Sequence, residues 1–93
     1  MPDLFMKVAM IKKEVANKWG FSVPDLEGVN RSKMLTYARH EAMFRVRNET
    51  PLSYPEIGFF FGRRDHTSII YAVKNFGKKQ KLIERKRPKY GNT

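Results

Sequence analysis

The chain has 93 residues, a formal net charge of +10 and no cysteine. This length corresponds to one domain with a modest core, and the lack of cysteine excludes disulfide frameworks, thiolate metal sites and thiol catalysis. No apolar run approaches the ~20 residues that span a bilayer, and residues 1–5 lack the basic segment of a secretory signal. We therefore expect a cytoplasmic protein without a membrane partner.

Positive charge is concentrated in the second half of the chain. Residues 1–56 carry nine basic and seven acidic side chains, whereas residues 57–93 carry ten basic and two acidic ones, a difference of +8. Such an excess indicates a polyanionic partner and salt-sensitive association. The charge alone does not separate DNA from RNA or from an anionic membrane.

Apolar residues near the N-terminus recur with the period of one helical face. This face consists of Leu4, Val8, Ile11, Val15 and Trp19. Asp3 is the expected N-cap and Gly20 the expected end of the helix. Four lysines are predicted to lie off the apolar face: Lys7, Lys12, Lys13 and Lys18. A basic amphipathic helix can also bind a membrane surface, but so short a chain needs this one to cover its core.

Two further helices are predicted before the proline at position 51. Ser22 is the N-cap of a single turn, with Asp25 as its capping-box partner. A longer helix is expected from about Ser32 to Asn48. Its inward positions are Leu35, Ala38, Ala42 and Val46. Three arginines are predicted on or near its solvent side: Arg39, Arg45 and Arg47. Pro51 breaks the chain after this helix.

A short helix follows, again with a capping box, which Ser53 and Glu56 form. It must end at Gly62, after about two turns. Three consecutive phenylalanines cannot share one stripe, because successive residues are ~100° apart around a helix. The compatible core face is Ile57, Phe60 and Phe61. This leaves Phe59 as the exposed phenylalanine.

The last predicted helix begins after Asp65, its expected N-cap. Its apolar side consists of Ile69, Ile70, Val73 and Phe76. Gly77 either stops this helix or lets it continue into the lysine-rich segment. We divide the chain into a domain at residues 1–77 and a basic tail at residues 78–93, partly helical or disordered. With no strand pattern in the sequence, the predicted fold class is all-α.

The two last helices, joined by a tight glycine-containing turn, have the form of a helix-turn-helix. The N-terminal residues of its second helix face the major groove. Asp65 can accept a hydrogen bond from cytosine N4, His66 can bond a purine edge, and the Thr67 methyl group can pack on thymine. Arg63 and Arg64 are expected to contact phosphates, and Ser68 can reach a base or a phosphate. Taken alone, Asp65 is most simply a helix cap.

The sequence contains no convincing catalytic or metal-binding pattern. Asp65, His66 and Ser68 are too close together to form a triad. His40 and His66 do not suffice for a zinc site, and residues 58–62 lack the Lys-Ser or Lys-Thr of a phosphate-binding loop. We expect no enzymatic activity, no cofactor, no metal and no small-molecule substrate.

Residues 57–76 resemble the signature of the C-terminal DNA-binding domain of DnaA, the bacterial chromosomal replication initiator. The elements that carry this resemblance are Ile57-Gly58, Phe61, Gly62, Arg64-Asp65-His66-Thr67, Ala72 and Lys74. The likeness extends upstream, so that residues 11–76 follow the family pattern without an evident gap. A match of this length and order is specific.

The resemblance implies a helical domain that binds short, asymmetric DnaA boxes in double-stranded DNA, usually as a monomer per site. It implies major-groove base contacts from Pro55, Asp65, His66 and Thr67. Together with the charged residues around the motif, it predicts DNA-backbone contacts from Arg31, Lys33, Arg39, Ser53, Arg63, Arg64, Ser68, Lys74, Lys78 and Lys79.

Three features depart from the family pattern. Arg63 replaces the second glycine of the usual turn, so a residue with a Cβ must take the turn conformation. Tyr37 stands where we place the arginine that enters the minor groove, a role for which Arg31 or Arg39 would have to substitute. The ATPase domain that unwinds an origin is absent, which predicts a stand-alone module.

We therefore predict a nucleoid-associated protein that binds double-stranded DNA sequence-specifically, as a regulator or as a competitor for DnaA boxes. One alternative is a nonspecific nucleic-acid binder driven by the basic tail. The other is an interaction module that holds a protein partner through Phe59 or the first helix.

Overall fold

The computed structural model describes residues 3–28 and 32–86, with side chains through residue 78. These residues form five helices: α1 Leu4–Trp19, α2 Val23–Glu27, α3 Lys33–Glu49, α4 Tyr54–Phe60 and α5 His66–Lys86. The described ranges contain no strand. The predicted all-α class is confirmed.

Helix starts lie at the predicted capping residues. The Asp3 side chain accepts from the Phe5 backbone N–H at 2.9 Å. Ser53 and Glu56 form the predicted capping box of α4, in which the Ser53 N–H donates to Glu56 Oε1 at 2.8 Å. Ser22 caps α2 in the same way. The hydrogen bond from the Ser53 backbone N–H lowers the pKa of the Glu56 carboxyl, because it stabilises the ionised form.

Helix α3 is the central element, since it packs against each of the other four helices. The predicted inward residues of α3 are all buried: Leu35, Ala38, Ala42 and Val46. Ile57 of α4 and Phe61, the C-cap residue of that helix, are fully buried, and Phe60 is partly buried against them. Phe59 is 60% exposed, as predicted. The helical periodicity of the sequence therefore locates the apolar core correctly.

Two basic residues predicted to face solvent are instead buried. Lys12 and Arg39 are only 5% and 6% exposed. Their spacing explains this correction, because Lys12 follows Val8 by four residues and Arg39 follows Leu35 by four. Residues four apart share a helical face, so each cation lies within an apolar face rather than beside it.

Helix α5 does not stop at Gly77 but continues to Lys86. Of the two predicted alternatives, the structure shows the continuation. A Cβ added at Gly77 would lie 3.4 Å from Phe44 Cε2, an ordinary packing distance. The predicted boundary between residues 1–77 and 78–93 therefore falls within a helix. The prediction for the chain after Pro88 lies outside the described residues.

The turn between α4 and α5 has left-handed backbone at two successive residues. Gly62 has φ 81° and Arg63 has φ 60°, so Arg63 takes the conformation usually left to glycine. Such a conformation costs a non-glycine residue roughly 1–2 kcal/mol. The Arg64 N–H closes the turn by donating to the Gly58 carbonyl at 2.9 Å.

Gly62→Ala should destabilise the fold more than Gly20→Ala. Both glycines have φ 81°, so either alanine suffers about 1–2 kcal/mol of backbone strain. Only the Cβ at Gly62 would also meet backbone, the Glu27 carbonyl oxygen at 2.5 Å, whereas nothing lies within 4 Å at Gly20. Urea unfolding of both variants measures the difference. Equal losses would contradict the close approach of α2 to the turn.

Candidate nucleic-acid interface

Helices α4 and α5, with the turn between them, form the predicted helix-turn-helix. Asp65 precedes the first residue of α5, and its carbonyl accepts from the backbone N–H groups of Ser68 and Ile69 at 3.0 and 3.3 Å. Asp65 therefore occupies the N-cap position, as expected. The residues that open α5 are fixed at the end of a helix whose other face is buried.

The predicted base-contacting residues all lie on the surface. The side chains of Asp65 and His66 are 67% and 55% exposed, with Asp65 Oδ1 3.3 Å from His66 Nδ1. Thr67 is exposed on the next position of α5, and Pro55 is exposed at the second residue of α4. These four side chains are therefore accessible to a duplex without any rearrangement of the core.

The predicted DNA-backbone residues fall into three groups. Six are exposed: Lys33, Ser53, Arg63, Ser68, Lys74 and Lys78. Arg31 and the side chain of Lys79 lie outside the described residues. The remaining two, Arg39 and Arg64, are turned inward.

Arg39 and Arg64 bind the carbonyl groups at the end of α2. Arg39 Nε donates to the Leu26 carbonyl at 2.9 Å, and Arg64 Nη2 donates to the Gly28 carbonyl. Burial lowers the pKa of both guanidinium groups, and the charge of Arg64 lowers that of Arg39 further. The guanidinium of Arg39 is thus buried and already bonded to α2, so the structure gives no support to its predicted DNA contact or to its predicted place in the minor groove.

Lys12 makes the corresponding contact at the end of α4. Its Nζ donates to the Phe60 carbonyl, pairs with Glu27 Oε2 at 2.7 Å, and lies 4.7 Å from the centre of the Phe61 ring. One side chain of α1 thereby joins α2 to the start of the helix-turn-helix turn. Sequence reasoning missed this role, because the four-residue spacing from Val8 indicates that Lys12 is buried but does not identify its acceptors.

Arg47 and Tyr54 fix the approach to α4. The Arg47 guanidinium lies 4.2 Å from the centre of the Tyr54 ring, and its Nη1 donates to the Leu52 carbonyl at 2.9 Å. These contacts join α3 to the residues on either side of Ser53. They therefore help to position both Ser53 and Pro55.

Sequence reasoning also did not identify Tyr71 as a residue on the exposed face of α5. This residue is 66% exposed on α5, and its ring lies edge-on to His40 of α3, with 6.4 Å between the ring centres. Its signal was the spacing of four residues from Thr67, which places both side chains on one face.

The described residues contain no cluster of three or more His, Cys, Asp or Glu that could hold a metal ion. None of the described helices is long and apolar enough to cross a membrane.

The fold and the exposed start of α5 define a helix-turn-helix DNA-binding domain. A model of the family described as bacterial dnaA protein helix-turn-helix matches residues 8–75. Since this match covers most of the chain, the protein belongs to the bacterial DnaA helix-turn-helix family, and the resemblance seen in the sequence is confirmed.

The curated relatives are much longer proteins. The chain is 44% identical to the chromosomal replication initiator protein DnaA of Magnetococcus marinus over 84% of its own length and 17% of that protein. For the same-named protein of Picosynechococcus the identity is 36%, over 89% of this chain and 18% of the relative. For the DnaA protein of Geobacter sulfurreducens the identity is 45%, over 76% of this chain and 16% of the relative. The chain thus spans less than a fifth of these relatives.

Lys12→Met should lower the free energy of unfolding by about 1–3 kcal/mol, as expected when a buried group loses its charged partner. In a domain of this size each kcal/mol lowers the Tm by roughly 4–8 °C. Lys13→Met removes the same charge from an exposed neighbour and should leave the Tm nearly unchanged. Equal Tm shifts in thermal unfolding would show that Lys12 has no special structural role.

Proposed function

We propose that this protein binds double-stranded DNA sequence-specifically at sites like DnaA boxes, without ATPase activity. It would act at the nucleoid, in the cytoplasm, as a regulator or as a competitor of a full-length initiator. Membership of the helix-turn-helix family supports DNA binding. The names of the relatives, which are replication initiators, support boxes of that kind as the target.

The observation that carries this proposal is the exposed polar start of α5. Asp65, His66 and Thr67 project from the N-terminus of a helix held by a closed turn. In a helix-turn-helix these positions enter the major groove, where each base pair presents a distinct pattern of donors, acceptors and methyl groups. We assign base reading to these three residues and to Pro55.

The DNA backbone contacts are assigned to the residues around this group. They are Lys33, Ser53, Arg63, Arg64, Ser68, Lys74 and Lys78, with Arg31 and Lys79 by charge alone. Arg64 donates inward through Nη2, so we assign it a smaller share than the exposed Arg63. Such contacts fix the register of a protein on the duplex but carry no sequence information.

A second function, holding a protein partner, is favoured by one feature of the surface. Phe5 and Phe59 are 66% and 60% exposed, and the Phe60 ring lies between them at centre distances of 5.2 and 5.8 Å. Large exposed apolar patches commonly mark protein contacts. A complex that forms in the absence of DNA and is lost in Phe59→Ala would support this second function.

His66→Ala and Thr67→Ala should reduce discrimination between a selected box and random duplex by about 1–3 kcal/mol each. The salt dependence of DNA binding by these two variants should hardly change, since neither substitution removes a phosphate contact.

Lys74→Gln and Lys78→Gln should weaken binding to the selected and the random duplex alike. Each should reduce the slope of log affinity against log salt concentration by about 1. Affinities measured over a series of salt concentrations test both halves of this prediction.

Deletion of residues 78–93 separates the proposal from the basic-tail alternative. The deletion should lower the affinity for every duplex and flatten the salt dependence, because fewer counterions are released. Asp65→Ala is a poorer probe, since it also removes the N-cap residue. If the deletion abolishes sequence preference while His66→Ala and Thr67→Ala change nothing, α5 is not the recognition helix.

A further inference from the structure

The exposed face of α5 contains an aromatic residue among its DNA-facing positions. Residues three or four apart share a helical face, and one such stripe consists of Thr67, Tyr71, Lys74 and Lys78. All four are exposed. The opposite side of the helix is buried and consists of Ile69, Ala72 and Val73. Tyr71 therefore lies between a proposed base-reading residue and two proposed phosphate-binding lysines, on the side directed away from the core.

The side chain of Tyr71 contacts α3 and is otherwise largely exposed. Its ring meets His40 edge-on, with an angle of 81° between the ring planes, and 66% of the residue remains open to solvent. The contact with α3 limits the directions in which the ring can point. An aromatic ring held in this way loses little conformational freedom when a second apolar surface covers it.

We propose that Tyr71 determines specificity by packing its ring against the 5-methyl group of a thymine in the major groove. This inference rests on the proposed function. Recognition helices read bases with side chains spaced three or four residues apart on one face. Four residues advance ~6 Å along a helix, which corresponds to between one and two base-pair steps of ~3.4 Å. Tyr71 then reads a base pair beyond the one read by Thr67.

A base edge fits Tyr71 better than a phosphate does. The ring carries no charge and adds nothing to the counterion release that drives phosphate binding, a role that Lys74 and Lys78 can fill on the same stripe. Thymine, in contrast, presents an apolar methyl group in the major groove, and apolar side chains are its ordinary partners.

The test uses a duplex site selected by the full chain from random sequence. Each thymine of that site is replaced in turn by deoxyuridine, which lacks only the methyl group. One replacement should weaken binding roughly four-fold, the factor expected from burial of one methyl group. In Tyr71→Ala the same replacement should have no effect, whereas in Tyr71→Phe, which keeps the ring, the four-fold loss should persist. A thymine that packs against Thr67 is identified through Thr67→Ser, which removes the threonine methyl group and should abolish the effect of replacing that thymine.

Phe59→Ala is the matched control, because Phe59 is an aromatic residue of similar exposure that lies outside α5. It should leave the effect of every deoxyuridine replacement unchanged.

The proposal is overturned if Tyr71→Ala still shows the four-fold loss at the same thymine. It is also overturned if Tyr71→Phe loses as much affinity as Tyr71→Ala, since the hydroxyl group would then be the contact. If the wild type selects no site, the proposed function itself fails. If only Tyr71 is misassigned, selection and the Thr67 effect remain.

Discussion

The geometry of the helix-turn-helix depends on three inward-turned cations that bind the carbonyl ends of two short helices. An α-helix leaves its last four carbonyls without partners, and helices as short as α2 and α4 are unstable by themselves. Lys12 from α1 binds the end of α4, while Arg39 from α3 and Arg64 from the turn bind the end of α2. Since Lys12 also pairs with Glu27 of α2, four helices and the turn are fixed to one another through charge-assisted bonds, and the direction in which α5 leaves the turn follows from them.

This arrangement divides the positive charge of the chain between two tasks. In residues 1–56, half of the described basic side chains form ion pairs with carboxylates: Lys7, Lys12, Lys18 and Arg45. By contrast, Arg63, Lys74 and Lys78 form no ion pair within the described part of the chain. Part of the positive charge of the first three helices therefore holds the fold together, whereas the exposed cations of the turn and of α5 remain open to a polyanion.

Sequence periodicity and capping signals predicted the fold because both are local. The faces of α1 and α3, the capping box of Ser53 and Glu56, and the exposure of Phe59 require only neighbours within one helix. The roles of Lys12 and Arg39 could not be derived in the same way, since a basic residue is normally assigned to solvent unless its distant acceptor is known. Those acceptors, Phe60 and Leu26, are 48 and 13 residues away. In the site, the exposed start of α5 was predictable, but the support behind it was not.

Arg63 shows how these contacts offset local strain. Its left-handed conformation is unfavourable for a residue with a Cβ, but the residues on both sides of it make close contacts with other parts of the fold. Gly62 is pressed against the Glu27 carbonyl, and the Arg64 N–H is bonded to the Gly58 carbonyl. The turn is therefore determined by its neighbours in space rather than by the preference of Arg63 itself. The turn thereby presents an exposed guanidinium shortly before α5, 6.0 Å from the centre of the Phe59 ring. A glycine at this position would relieve the strain but would contribute no charge to the surface that we propose as the DNA-binding surface.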